Sequence, residues 1–255
     1  MFNTFEKVIP IWGTEIFIQA SSKSLNNERI EAVVNEAEKF FIEVDQELSP
    51  FKPDSAVSKL RSNTLQIEKT SRMVQEVWQG CLKARELTNG AFDPWSVAGG
   101  FDPSGYVKGW AAERAAKLLV DAGCECVQVN AAGDIALRGG LPDGSPWKIG
   151  VINPDNRSEI VQVFEIFDGN IATSGTSEKG AHICDPHTGL IAIGAKSATV
   201  VGPDGGLCDA FATALMVDGT DAASWIGNPE LSDFTFWAIN RHEDTAWSFG
   251  PKITL

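Results

Sequence analysis

The 255-residue chain carries 34 acidic against 21 basic residues, a net charge of -13, and is 43% hydrophobic and 22% charged. This is the composition of an ordinary soluble globular protein, long enough for one large domain or two joined halves. The acidity argues against nucleic acid and against an anionic membrane surface as partners.

No apolar run reaches the length of a membrane span. The N-terminal stretch "MFNTFEKVIPIWGTE" lacks the basic and apolar pattern of an export leader, so the expected location is cytoplasmic. Five scattered cysteines, at 81, 124, 126, 184 and 208, fit reduced thiols better than a disulfide framework or a zinc site. No internal repeat or long linker is visible, and 1–255 reads as a single domain.

In chain order, alternation in "TEIFIQ" predicts a first strand. Residues 28 to 47 predict a helix whose apolar face holds Ile30, Val33, Val34, Ala37, Phe40, Phe41 and Val44. The prolines of "LSPFKPDSAVSKLRSN" end it in a loop leading to a short helical turn. A second helix is expected from Arg72 to Leu87. A third runs from near Tyr106 to Ala122, with Gly123 as its stop.

Strands follow at "CVQVN", "DIALRG", "WKIGV", "IVQVFEIF", "GNIATSG" and "KSATVVG", with Cys124 and Cys126 expected on one strand face. After the apolar helix of "CDAFATALMV", the segments "FTFWAIN" and "TAWSFG" read as a closing strand pair. Helices first and strands later make an α+β fold rather than a βαβ alternation.

Three segments carry chemistry. In "CDAFATAL", Asp209 and Thr213 lie one turn apart on a helix otherwise almost wholly apolar. The plain reading is a helix cap and a hydroxyl bonded back to a carbonyl. The functional reading is an oxygen-donor site for a hard cation such as Mg²⁺, with Gly205 and Gly206 opening backbone N–H groups to an anion. In "FDPSGYVKGWAAERAAKLL", Lys108 sits near a helix start, against the dipole. Either a phosphate or a surface pairing with Asp102 explains it. In "TSEKGAHICDPHTG", His182 is either structural or a base, flanked by Glu178, Lys179 and Asp185. Neither a nucleophile elbow nor a dinucleotide or P-loop glycine pattern occurs.

Taken in order, "WGTEIFI", "LSPFKPDSAVSKL", "GAFDP", "FDPSGYVKGWAAE", "VNAAGDI", "PWKIGVINP", "IATSG", "HICDPHTG" and "DAFATAL" resemble the FAD:protein FMN transferases, the ApbE-like flavin transferases. The likeness runs from about residue 10 to residue 217. It implies an ApbE-like, T-fold-like, two-lobed assembly of mixed helices and antiparallel sheet. It also implies Mg²⁺-dependent transfer of FMN from FAD to a Thr or Ser hydroxyl of an acceptor protein, with release of AMP.

By the same resemblance, Asp209, Thr213 and the Gly105 carbonyl would hold the metal. Trp12, Phe51, Ala91, Phe92, Asp93, Asp102 and Lys108 would contact FAD, and His182 would serve as the base. The chain has Trp12 where the family usually has methionine. It has Ala132 where a glycine is usual, so a turn needing positive φ there would have to differ. Two other readings share these residues: an FAD pyrophosphatase giving FMN and AMP, and a non-catalytic FAD-binding protein.

Overall fold

Local signals set the helices. Asn26 accepts a hydrogen bond from the Arg29 N–H and starts α1 (Asn27–Leu48), which buries Ile30, Val34, Ala37, Phe41, Val44 and Leu48 at helical spacing. Ser55 caps the short α2 (Ala56–Arg61), and Ser71 caps α3 (Arg72–Leu87). Helix α4 (Ser104–Asp121) starts two residues earlier than expected and ends before Gly123, which takes φ +105°. Helix α5 (Gly205–Asp218) is capped by Asp204 and is buried along most of its length. A last short helix, α6, spans Ala223–Ile226.

The computed structural model describes residues 1–175, 183–242 and 245–251. Its main sheet holds eight antiparallel strands in the order β1-β2-β3-β4-β7-β8-β9-β10. These are β1 (Asn3–Ile11), β2 (Thr14–Ser22), β3 (Cys126–Ala131), β4 (Asp134–Arg138), β7 (Gly169–Gly175), β8 (Ala195–Gly202), β9 (Thr235–Asn240) and β10 (Ala246–Phe249). A separate hairpin pairs β5 (Trp147–Asn153) with β6 (Asn156–Ile166). The expected closing pair forms as β9 and β10. Strand β1 is an addition: it lies at the sheet edge and buries only Ile9, so it carries little apolar alternation.

Period-2 alternation splits the sheet into two faces. Ile16, Ile18, Ala20, Val127, Val129, Ala136, Ala172 and Val200 join the helices in the larger core. Ile135, Leu137, Ile171 and Val201 face the other way and pack with Trp147, Val151, Phe164 and Ile166 of the β5–β6 hairpin. Cys124 precedes β3 and lies in the helix-side core, whereas Cys126 lies in the hairpin-side cluster, so the two thiols do not share a face. Among the described residues, no helix is long and apolar enough to cross a membrane.

Two hairpin tips lie at one end of this sheet, because Ile16 of β2 pairs with Ala131 of β3. Trp12 and Gly13 turn β1 into β2 with φ +59° and +71°; Ala132 and Gly133 turn β3 into β4 with +56° and +98°. Positive φ at both central residues is what a two-residue hairpin of matching twist requires. Ala132 therefore adopts the left-handed conformation itself, and the turn keeps the geometry a glycine would give. The Gly133 N–H, donating to Asn130 Oδ1 at 2.8 Å, supports it.

Candidate active site

Helices α4 and α5 cross where both are glycine. A Cβ on Gly109 would lie 2.0 Å from the Gly205 carbonyl oxygen, and one on Gly205 would lie 2.4 Å from the Gly109 carbonyl oxygen. Gly80 and Gly206 make room for the Tyr106 ring in the same way. The backbones approach at van der Waals distance, and the side chains beside the crossing meet.

Those side chains are a lysine and two aspartates. Lys108 of α4 pairs with Asp134, the first residue of β4, and with Asp209 of α5, lying 3.0 Å from Oδ2 and 3.2 Å from Oδ1. The Gly109 N–H also reaches Asp209 Oδ2 at 3.4 Å. Both carboxylates are almost wholly buried. Burial disfavours the Lys108 ammonium, but the Asp134 and Asp209 carboxylates outweigh that and hold its pKa above the ordinary lysine value. Lys108 is thus paired with neither a surface partner nor Asp102. Asp209 is not a cap, since Asp204 takes that place.

One turn along α5, Thr213 turns its hydroxyl toward Gly105: a Cβ there would lie 3.1 Å from Thr213 Oγ1. Gly105 departs from helical geometry, with ψ at +19°, so its carbonyl swings off the helix axis. Ser174 Oγ of β7 stands 3.5 Å from Thr213 Oγ1. A carboxylate, a hydroxyl and a carbonyl so placed suit a hard divalent cation, with phosphate oxygens and water to complete the shell. Among the described residues no three His, Cys, Asp or Glu side chains gather as a cage, so a cation here depends on that mixed oxygen set.

Phe92 packs against the same spot, its ring 3.2 Å from where a Gly105 Cβ would be, and its N–H donates to Thr88 Oγ1 at 3.1 Å. Ala91 is buried beside it in sequence. Asp93 pairs with Arg85 at 2.8 Å and accepts from the Trp95 N–H. Asp102 accepts from the Ser104 N–H at 3.0 Å, fixing the approach to α4, and lies 3.8 Å from Arg61. Trp12 sets its ring edge-on to Phe41 at 5.6 Å. Phe51 stands 89% exposed on the loop between α1 and α2. His182, with Glu178 and Lys179, lies outside the described residues.

The glycine pair at the start of α5 does other work than expected. The Gly205 N–H donates to Glu113 Oε2 of α4 at 2.7 Å, so a carboxylate of the chain itself occupies that helix end. Burial raises the Glu113 pKa despite this donor. Burial also raises the thiols of Cys81 and Cys208, which removes them as nucleophiles. Asp134 and Ser174 were not singled out in sequence. Their signal lay in the quoted stretches "VNAAGDI" and "IATSG".

The sequence profile of the ApbE family matches residues 12–99 and 98–234. The chain belongs to the ApbE family. Curated relatives include the FAD:protein FMN transferase of Vibrio cholerae, 36% identical over 131 residues, 47% of this chain and 39% of that protein. That of Salmonella typhimurium is 32% identical over 126 residues, covering 46% and 36%. The chain thus spans 36 to 39% of the length of these curated ApbE relatives. The fold is shared more widely. The solved flavin transferase ApbE from Vibrio cholerae superposes with a TM-score of 0.83 at 22% identity, covering 98% of this chain and 97% of that one. The ApbE protein of Thermotoga maritima gives 0.81 at 22% identity, covering 96% of each.

Proposed function

We propose that this ApbE-family chain transfers the FMN half of FAD to a Thr or Ser hydroxyl of an acceptor protein, releasing AMP, with Mg²⁺ as cofactor. The observation that carries the reading is the joining of the Lys108–Asp134–Asp209 cluster to the Gly105–Thr213 oxygen pair at the α4–α5 crossing. In the step, the acceptor hydroxyl oxygen bonds to the FMN phosphorus, the pyrophosphate P–O bond breaks, AMP leaves, and the hydroxyl proton passes to a base.

Asp209, Thr213 and the Gly105 carbonyl would hold the cation. When bound, it neutralises charge on the phosphate oxygens and orients them for in-line attack. Lys108, kept charged by Asp134, donates to the phosphate and stabilises the charge that builds on it. His182 takes the hydroxyl proton, a role suited to imidazole near neutral pH. Trp12, Phe51, Ala91, Phe92, Asp93 and Asp102 seat the dinucleotide, with residues 1–255 acting as one flavin transferase domain. Cytoplasmic placement of the reaction is supported by five free cysteines, four of them buried.

The test is AMP release from FAD and flavin attached to an acceptor polypeptide, measured with and without Mg²⁺. Asp209→Ala leaves Lys108 its partner Asp134, so the fold persists and AMP release falls about 100-fold or more, the scale of losing a charge-stabilising group. Undiminished transfer by this variant would sink the cation assignment. Equal AMP release with acceptor omitted would replace transfer by hydrolysis.

A further inference from the structure

Lys108 stands where it obstructs the ligand its neighbour is suited to hold. It spans both oxygens of Asp209, at 3.0 and 3.2 Å, and Gly109 N–H takes a further share of Oδ2. A divalent cation at either oxygen would stand beside the ammonium, and the two positive charges repel across a buried site. Asp134 already holds the ammonium by its closer contact, so Lys108 can give up Asp209 without losing a counter-ion.

One ammonium against two carboxylates leaves the cluster with a formal charge of -1. A pyrophosphate arriving alone deepens that negative charge. A dication arriving alone meets Lys108. Arriving together they compensate each other, and Lys108 gains a phosphate to bond as it leaves Asp209.

We propose that Lys108 is a releasable counter-ion of Asp209, so that the divalent cation binds Asp209 as Lys108 gives that carboxylate up, keeps Asp134 and turns to the dinucleotide phosphates. Cation and dinucleotide then bind with reciprocal positive coupling, each raising the affinity of the other by the same factor. Asp134 is a positioning residue in this scheme: it retains the lysine and does not touch the cation. The inference rests on the cation-and-FAD reading of the site.

The experiment is calorimetric titration of the purified chain with Mn²⁺, with and without saturating FAD, and with FAD, with and without saturating Mn²⁺. In the wild type, FAD tightens Mn²⁺ binding about tenfold or more, and Mn²⁺ tightens FAD binding equally. The discriminating variant is the double substitution Lys108→Met with Asp134→Asn. It keeps the formal charge of the cluster at -1 but frees Asp209. It binds Mn²⁺ without FAD about tenfold or more tightly than the wild type does, and the coupling to FAD shrinks. Circular dichroism checks that it folds; if it does not, Lys108→Met alone, which also bares Asp209, is titrated in its place, with the same tighter Mn²⁺ binding and weaker coupling expected. Mn²⁺ affinity independent of FAD in the wild type, or unchanged in the variant titrated, overturns the counter-ion release and leaves the cation site standing. Absence of Mn²⁺ binding in every form, with or without FAD, overturns the functional reading and the counter-ion release with it.

Discussion

Replacing Gly109 with alanine tests whether the helix crossing assembles the site. The added Cβ would meet the Gly205 carbonyl oxygen at 2.0 Å, where carbon and oxygen ordinarily keep about 3.3 Å, so the helices must part by about 1.3 Å. The obstacle is backbone, and Asp209 Cβ at 3.1 Å blocks sideways escape. Overpacking of this kind costs about 3 kcal/mol, the upper part of its usual range. Alanine recovers about 1 kcal/mol through its better helix propensity. The net loss is about 2 kcal/mol, or a drop of about 4–8 °C in Tm for a chain of this size. Lys108 and Asp209 ride on the two separated helices, so Mn²⁺ and FAD binding should weaken even well below Tm. Differential scanning fluorimetry and titration measure the two effects. A Gly109→Ala protein as stable as the wild type, with binding intact, would refute the claim that glycine-to-glycine contact positions the cluster.

Two further outcomes follow from individual residues. Ala132 sits at φ +56°, a conformation that costs an L-residue and not glycine. Ala132→Gly should therefore raise stability by about 0.5–1 kcal/mol, the left-handed strain relieved less the extra unfolded-state entropy of glycine. A urea midpoint that falls would show that the alanine methyl contributes packing. Glu113 has its pKa raised above the ordinary 4.5 by burial, so the folded protein holds that proton more tightly than the unfolded chain does. Its contribution to stability is greatest at low pH and declines as pH rises from 4.5 through the folded value. Glu113→Gln does not titrate, so the Tm of the wild type relative to this variant should fall with rising pH across that window. A relative Tm that rises with pH would contradict the burial argument.

Much of the architecture was readable one segment at a time. Helix α3 runs over the expected residues because Ser71 caps it and Val74, Val77, Cys81 and Ala84 repeat at helical spacing. Strands β3, β4 and β7 lie at the expected "CVQVN", "DIALRG" and "GNIATSG", the first two read from period-2 character or β-branched enrichment. Those periodicities are properties of the backbone, repeated every 3.6 or 2 residues, and they need no knowledge of the rest of the chain. Strand β1 escaped because a sheet edge leaves most of its side chains exposed and so demands little pattern.

The polar residues were legible as candidates but not as an arrangement. Asp209 and Thr213 were recognisable because carboxylate and hydroxyl recur one turn apart in an apolar helix. Nothing local connects Lys108 with Asp134, 26 residues on, or with Asp209, 101 residues on. Glycines at 205 and 206 suit an anion site as well as a helix contact, and only the Glu113 carboxylate, 92 residues away, decides between them. The sequence alone determined which stretches are helix and strand and which side chains could do chemistry. The tertiary structure decided which charges face each other. The attraction of an ion pair depends on a separation of a few ångströms, and that separation is set here by how closely two glycines let α4 and α5 approach.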